Sequence, residues 1–326
     1  MNTDSRPRIT VAIPTYDRAH ILDRAIRAAL EQSYPDTDVL VVDDGSRDDT
    51  ARVLRAYERE PRFGAIRLGR NVGTARAKNV AIALGDYDAI TFHDSDDVPS
   101  PNKVLLQQRA MCLPDYRANP ILDWASIDHE PGCPVPVDVV VGAYDFITRD
   151  GAVHRIDKQL SLVDDFFPNL QFPSRVAGEW ILVNAGLFRR RVFSELGGYL
   201  PSVEEDRELR NRILAAGYVV YFQHESLLTK IEEADSLTVK DDTGFESEER
   251  LRDRSEVWER TRAYRGGLWG DAVKAAHRSP IDLSELEVEE VLGSLSPHPA
   301  PDVPMTAPTR ARLERLFGPA ALEAAE

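Results

Sequence analysis

The sequence predicts an α/β fold: a mostly parallel sheet flanked by helices, followed by a helical C-terminal extension. Three observations lead there. Short apolar runs alternate with stretches of helical spacing through the first third of the chain. Each run halts at a polar cluster, and in open parallel sheets ligands bind outside the carboxyl ends of the strands. Beyond about residue 235 the pattern becomes charged and rich in arginine.

Taken in order, Ile9 to Ile13 is an apolar run ending at Pro14, as expected of a buried strand. Leu22, Ile26, Ala29 and Leu30 recur at helical spacing until Tyr34-Pro35 ends the helix. Val39 to Val42 is a second strand, and Thr50 to Tyr57 a second helix. Ala65 to Leu68 is a third strand, followed by a helix from about Gly73 to Leu84. Ala89 to Phe92 is a fourth strand, closed by His93-Asp94-Ser95-Asp96-Asp97. The stretch 112–180 is rich in proline and mixed in pattern, with Val137 to Val141 a strand. Leu187 to Phe193, running on to Gly197-Gly198-Tyr199, reads as a strand and a turn. Glu204 to Ala216 is helical and Tyr218 to Phe222 is another strand. Glu246 to Tyr264 is a charged helix, the proline-rich stretch 297–308 a flexible linker, and Thr309 to Phe317 a terminal helix. We therefore expect one domain over 1–235, with halves at about 1–111 and 112–235, and a helical extension over 236–326.

Composition narrows the function. With 42% hydrophobic residues the chain of 326 residues can bury a sizeable core. Fifty-five acidic residues against 40 basic ones give a net charge of −15, which disfavours nucleic acid and anionic lipid. No run of about 18 apolar residues is present, so no transmembrane segment is expected. Met1 to Arg8 are polar and lead straight into a strand-like run, so no secretory leader is expected. Cys112 and Cys133 fit neither a metal spacing nor a disulfide framework. The expectation is a reduced chain in the cytoplasm.

The polar clusters carry the chemistry. Asp94 and Asp96 stand one residue apart at a strand end and can point to one side, where hard oxygen ligands suit Mg²⁺ or Mn²⁺. The bland reading is helix capping, but Ser100-Pro101 already supplies an N-cap and a first-turn proline for the next helix. In Asp43-Asp44-Gly45-Ser46 the glycine permits a turn and the serine can cap a helix, so a plain strand–helix turn would explain it. A carboxylate there can also accept a hydrogen bond from uracil N3–H, thymine N3–H or guanine N1–H, and it disfavours cytosine. Asn71 to Asn79 places a glycine turn before a helix bearing Arg76 and Lys78, a usable diphosphate site or else a solvated helix face. Glu204-Glu205-Asp206 opens a helix, where acidic residues suit the dipole and could instead include a general base. The seven histidines are scattered, and no Walker loop, Rossmann glycine fingerprint or Gly-x-Ser-x-Gly elbow is present.

The order of these segments is more specific than any one of them. Ile13-Pro14-Thr15-Tyr16-Asp17-Arg18, then Val42-Asp43-Asp44-Gly45-Ser46, then Asn71-x-Gly73 to Asn79, then Asp94-Ser95-Asp96-Asp97, then Gly197-Gly198-Tyr199 with Glu205-Asp206 resemble the inverting family 2 glycosyltransferases over residues 8–235. The resemblance implies a GT-A fold, a nucleotide-diphospho-sugar donor (a UDP-sugar favoured), a hydroxyl-bearing acceptor and Mn²⁺ or Mg²⁺. It places Pro14, Thr15 and Tyr16 near the nucleotide, Asp44 on the base with help from Asp43, and Asp94 near the ribose. It makes Asp96 the metal ligand and Asp206 the catalytic base, oriented by Glu205. Arg76 and Lys78 then face the diphosphate.

The sequence departs from the family in three places. The family's Ala-Arg-Asn is Ala77-Lys78-Asn79, which keeps the cation and loses the bidentate fork. The family's arginine-x-histidine stands as Lys230-Ile231-Glu232, so that contact to metal or phosphate is in question. The processive Gln-x-x-Arg-Trp motif is missing, which implies transfer of a single sugar to a glycan, a lipid-linked sugar or a natural product. The acceptor region is expected within 112–180 and near Trp180, and the C-terminal helices could pair two copies or cover the acceptor cleft. Two other readings compete. A sugar nucleotidyltransferase would want a glycine-rich, arginine-bearing loop where Pro14-Thr15-Tyr16-Asp17 stands. A non-catalytic nucleotide-sugar binding protein would have lost a base or a metal ligand.

Overall fold

The computed structural model describes residues 6–113, 135–156, 166–167, 185–232, 244, 246–265, 270–294 and 303–311. In chain order the strands are β1 (Ile9–Thr15), β2 (Thr37–Asp43), β3 (Phe63–Leu68), β4 (Ala89–Phe92), β5 (Val98–Pro99), β6 (Cys112–Leu113), β7 (Val135–Pro136), β8 (Val139–Ile147), β9 (Val153–Ile156), β10 (Phe166–Phe167), β11 (Leu187–Arg189), β12 (Val220–Ile231) and β13 (Val288–Gly293). The helices are α1 (Ala19–Leu30), α2 (Thr50–Arg55), α3 (Thr74–Leu84), α4 (Lys103–Ala110), α5 (Arg190–Leu196), α6 (Glu205–Ala215), α7 (Glu248–Arg265) and α8 (Asp271–His277). The chain divides into two units: Met1–Val104 with Gly197–Tyr199 and Ser279–Glu326, and Leu105–Leu196 with Leu200–Arg278.

In the first unit the strands run in the order β4-β1-β2-β3-β13. The first four are parallel, and β13 lies antiparallel at the edge beside β3. Ile9, Val11, Ala12, Ile13, Val39, Val41 and Val42 are buried, as near-continuous apolar runs in a parallel sheet require. Helix α1 buries Leu22, Ala25, Ile26 and Ala29, one stripe at helical spacing. Helix α3 packs on β1 and β2 and buries Ala75, Ala77, Ala81 and Ala83, small residues that let it lie close. These elements agree with the sequence reading to within a residue or two at most ends.

The strand β13 is a difference. The sequence pattern predicts only helices beyond residue 235, and α7 and α8 are there, but Val288–Gly293 adds a sheet edge. It is fastened at both ends: Gly69 N–H donates to Glu287 O at 3.0 Å, and Ser294 N–H donates to Phe63 O at 2.9 Å. Of the expected linker 297–308, residues 297–302 lie outside those described. The rest is packed: Val303 is buried, Leu283 N–H donates to Pro304 O at 2.7 Å, and Leu283 bridges Met305. Residues 307–311 form a helical turn, and the remainder of the expected terminal helix lies outside the described residues.

In the second unit β8 and β12 are parallel, flanked by antiparallel β11 and β9 on β8 and β10 on β12. The stretch Leu187 to Phe193, expected as a strand and a turn, is a three-residue strand that passes directly into helix α5. Val192, Phe193 and Leu196 are buried at helical spacing, which explains the switch.

Candidate active site

Four loops leave the carboxyl ends of β1, β2, β3 and β4, neighbours in the first unit. Asp44 N–H donates to Thr15 O at 2.8 Å, and His93 N–H donates to Ala12 O at 2.9 Å. Pro14 lies inside β1 rather than ending it, opposite Val42. The β1 loop turns at Asp17, whose φ of 51° is left-handed, and Asp17 N–H donates to Ser46 Oγ at 2.8 Å. Asp17 Oδ1 accepts from Arg47 N–H at 2.7 Å. Thr15 Oγ1 is buried without a hydrogen-bond partner among the described residues, while Tyr16 is 39% exposed. An orphaned hydroxyl beside an exposed ring offers a polar handle and a stacking face.

The paired carboxylates of the β2 loop are held in different ways. Asp43 is fully buried; its Oδ1 accepts from Ser46 N–H at 2.9 Å and its Oδ2 from Arg67 Nε at 2.9 Å. Asp44 is 3% exposed and takes two backbone donors, Val72 N–H at 2.7 Å and Gly73 N–H at 2.9 Å. Burial pushes the Asp44 carboxyl up to about 6, although both backbone donors work the other way and nearby Arg76 does so more weakly. Gly45 has a φ of 75°, and a Cβ there would lie 2.4 Å from the backbone of Arg70, so only glycine fits between the β2 and β3 loops.

At the start of α3 the two candidate cations separate. Arg76 is partly exposed. Lys78 is fully buried, its Nζ 4.8 Å from the centre of the Tyr199 ring. Asn79 explains the Gly-Gly-Tyr segment: Tyr199 N–H donates to Asn79 Oδ1 at 2.8 Å, and Asn79 Nδ2 donates to Tyr199 O at 2.9 Å. A Cβ on Gly198 would lie 2.1 Å from Asn79 Oδ1, so the glycine lets this two-bond clamp close.

In the β4 loop Asp94 is half-buried, and Asp96 and Asp97 are buried. Asp97 N–H donates to Asp94 O at 3.0 Å, which closes a tight turn. Among the described residues, no three His, Cys, Asp or Glu side chains gather as a complete metal ligand set. Beneath the loop, Lys103 is fully buried and donates to Thr91 Oγ1 at 2.6 Å. Burial brings its amine down to about 7, partly offset by the charge of Asp97. His93 is buried, with neither ring nitrogen hydrogen-bonded among the described residues; desolvation and Lys103 hold it well below the usual histidine range.

Glu205 and Asp206 belong to the second unit, in the first turn of α6, and both are half-buried. The residue before them is buried and clasped by three arginines. Glu204 accepts from Arg207 at 2.5 Å, Arg250 at 3.2 Å and Arg254 at 3.3 Å, which ties α6 to α7. Lys230 and Glu232 are half-buried at the end of β12, where Glu232 Oε2 accepts from Arg149 N–H at 3.0 Å. Trp180 lies outside the described residues.

The family model described as Glycosyl transferase family 2 matches residues 10–119, the segment that carries all four loops. Through this segment the chain is similar to the family 2 glycosyltransferases. TuaG of Bacillus subtilis, named as a glycosyltransferase of teichuronic acid biosynthesis, is 31% identical over 110 residues, 33% of this chain and 44% of that protein. Chondroitin synthase of Escherichia coli is 36% identical over 112 residues, 34% of this chain and 16% of that protein. The chain thus spans less than half the length of these relatives. Among solved structures, S. aureus TarS 1–349 in complex with UDP is similar with a TM-score of 0.54 at 16% identity, covering 82% of this chain and 68% of that one. Mannosyltransferase PcManGT from Pyrobaculum calidifontis, in complex with GDP-Man and Mn²⁺, is similar with a TM-score of 0.53 at 17% identity, covering 83% and 68%. These likenesses show that the fold is GT-A. No helix among the described residues is long and apolar enough to cross a membrane.

The site has supports that motif reading does not find. Arg67 is within reach of such a reading: a lone basic residue near the end of β3 falls opposite Asp43 once the parallel register is drawn. Lys103 and Glu290 give no signal, and Glu204 reads only as part of an acidic helix start, because Arg250 and Arg254 that clasp it are distant in sequence.

Proposed function

We propose that the chain transfers one sugar from a nucleotide-diphospho-sugar, a UDP-sugar favoured, to an acceptor hydroxyl with inversion at the anomeric carbon. The observation that carries this reading is the β1–β2 corner, where the Thr15 hydroxyl, unpartnered among the described residues, the exposed Tyr16 ring and the held carboxylates of Asp43 and Asp44 meet. Tyr16 supplies a face for the base, and Asp44 accepts its ring N–H. The half-buried Asp94 is the candidate partner of the ribose. Arg76, at the N-terminal end of α3, holds the diphosphate, with the helix's first N–H groups favouring negative charge. The buried position of Lys78 suits it to a supporting role beneath Tyr199 rather than to direct contact.

A divalent ion fits this donor set. Mg²⁺ and Mn²⁺ need only one or two carboxylates when substrate phosphates complete the shell, and Asp96, with Asp94 near it, offers hard oxygen ligands. When bound, such an ion neutralises charge on the leaving diphosphate. Asp206 takes the acceptor hydroxyl proton as that oxygen attacks the anomeric carbon, with Glu205 orienting it. The bond from the anomeric carbon to the diphosphate breaks with its electron pair leaving on the diphosphate. One displacement from the opposite face inverts the centre. The UDP and GDP-Man complexes of the structural relatives support a nucleotide-sugar donor, and the Mn²⁺ in one of them supports the metal. The test is hydrolysis of UDP-sugars by the chain with and without Mn²⁺. Turnover that depends on the ion supports the reading, and an absence of both binding and turnover across UDP-, GDP- and dTDP-sugars would overturn it.

A further inference from the structure

Three adjacent strands carry a row of alternating charge. Asp43 on β2 stands opposite Arg67 on β3, and Arg67 stands opposite Glu290 on β13. One guanidinium serves both carboxylates: its Nε donates to Asp43 Oδ2 and its NH1 to Glu290 Oε2, each at 2.9 Å. Arg55 of α2 donates to both oxygens of Glu290 at 3.1 Å. The Arg67 side chain is 14% exposed and Asp43 is fully buried, so solvent screens this pairing little. A guanidinium held at two points has a fixed plane; held at one, it can swing about the remaining bond.

We propose that Glu290 is a positioning residue for nucleobase recognition, acting through Arg67 on Asp43. The C-terminal segment thereby forms part of the donor-binding half. This inference rests on the donor-site reading above. The connection continues beyond Asp43, whose other oxygen holds Ser46 N–H, while Ser46 Oγ holds Asp17 N–H in the loop that carries Thr15 and Tyr16. Glu290 is itself held in place by the tail. Thr309 is buried and its hydroxyl lies 3.1 Å from Leu286 O and 3.4 Å from Val288 N, just before Glu290 in β13.

The test uses the full chain, with Glu290→Gln, Glu290→Ala and, as control, Glu285→Gln at an exposed turn position. Dissociation constants for UDP, GDP and CDP are measured by calorimetry, beside kcat at saturating donor and the melting temperature. The expected order of UDP dissociation constants is wild type, then Gln, then Ala. The Ala variant should be weaker by about five- to tenfold, the size of one charged hydrogen bond that is partly exposed to water. Preference among the three bases should narrow in the same order, while kcat changes less than about twofold. The Glu285 variant should match the wild type. Equal constants and equal base preference across the Glu290 series, with only a lowered melting temperature, would overturn the inference. Failure of the wild-type chain to bind any of the three nucleotides would overturn the donor-site reading and this inference with it.

Discussion

Replacing Asp44 by asparagine sets two opposing terms against each other, and pH separates them. The Asp44 carboxyl is pushed up to about 6 from an ordinary 3.8 by burial. A shift of that size corresponds to about 3 kcal/mol at 1.36 kcal/mol per unit. Because the folded-state value is raised, the stability it contributes is complete below about 3.8 and is lost as pH rises through about 6. The asparagine has no such titration, but its single amide oxygen replaces two oxygens that accept from Val72 and Gly73. Leaving one buried N–H poorly satisfied costs about 1–3 kcal/mol at every pH. Asp44→Asn should therefore be the less stable protein at pH 4.5 and equal to or more stable than the wild type at pH 8. The difference in melting temperature should move in favour of the variant by on the order of 5 °C across that interval. Under the donor-site reading, UDP affinity gives a second readout. Wild-type binding needs the ionised carboxylate, so the ratio of mutant to wild-type dissociation constants should grow as pH rises through about 6. Taking the ratio cancels the titration of the phosphate itself. Calorimetric melts and UDP titrations at four pH values suffice. A melting difference that stays constant from pH 4.5 to 8 would refute the account of Asp44.

Three other substitutions test the remaining assignments. Asp96→Asn should lower turnover by about a hundredfold or more while the fold survives; an unchanged Mn²⁺ titration curve would count against the metal assignment. Asp206→Asn should keep UDP affinity and lose about 10²–10⁴ in turnover, whereas near-normal turnover with a lowered melting temperature would make Asp206 only a helix-dipole residue. Glu204→Gln removes the charge between three arginines and should cost about 3 kcal/mol, read as a clear fall in melting temperature; an unchanged melt would show that the cluster does not hold α6 to α7.

What the sequence discloses follows from which interactions are local. Runs such as Val39 to Val42 announce buried parallel strands because both faces are apolar, and those strands place the loops that follow them. Asp43, Asp44, Asp94 and Asp96 are legible for that reason. The strand Val288–Gly293 is not: two glutamates interrupt its apolar residues, as suits a half-exposed edge. Without that strand, Glu290 and the far side of the Arg67 pairing stay hidden too. Lys78 shows another limit. Sequence spacing sets it one turn along α3 from the glycine, but its burial under Tyr199 depends on a clamp from Asn79 to a residue 120 positions away.

The two adjacent carboxylates at the end of β2 can be told apart by their partners. Asp43 has no exposed surface, and each of its oxygens is engaged, one by the turn it closes and one by a guanidinium that is itself shared with the tail. Its bonds all serve the shape of the corner. Asp44 is held by backbone donors from the start of α3, and burial makes its charge costly enough to push its titration up to about 6. A carboxylate oxygen can accept more than one hydrogen bond, so each Asp44 oxygen keeps capacity beyond its single backbone donor. A donor arriving from a nucleobase would satisfy that capacity and reduce the cost of the charge, so ligand binding and ionisation of Asp44 should favour each other. Under the donor-site reading, recognition thus falls to Asp44 and its alignment to Asp43. For the same reason the long chain of supports, from Thr309 through β13 to Arg67, ends on the carboxylate that does not need to meet the ligand.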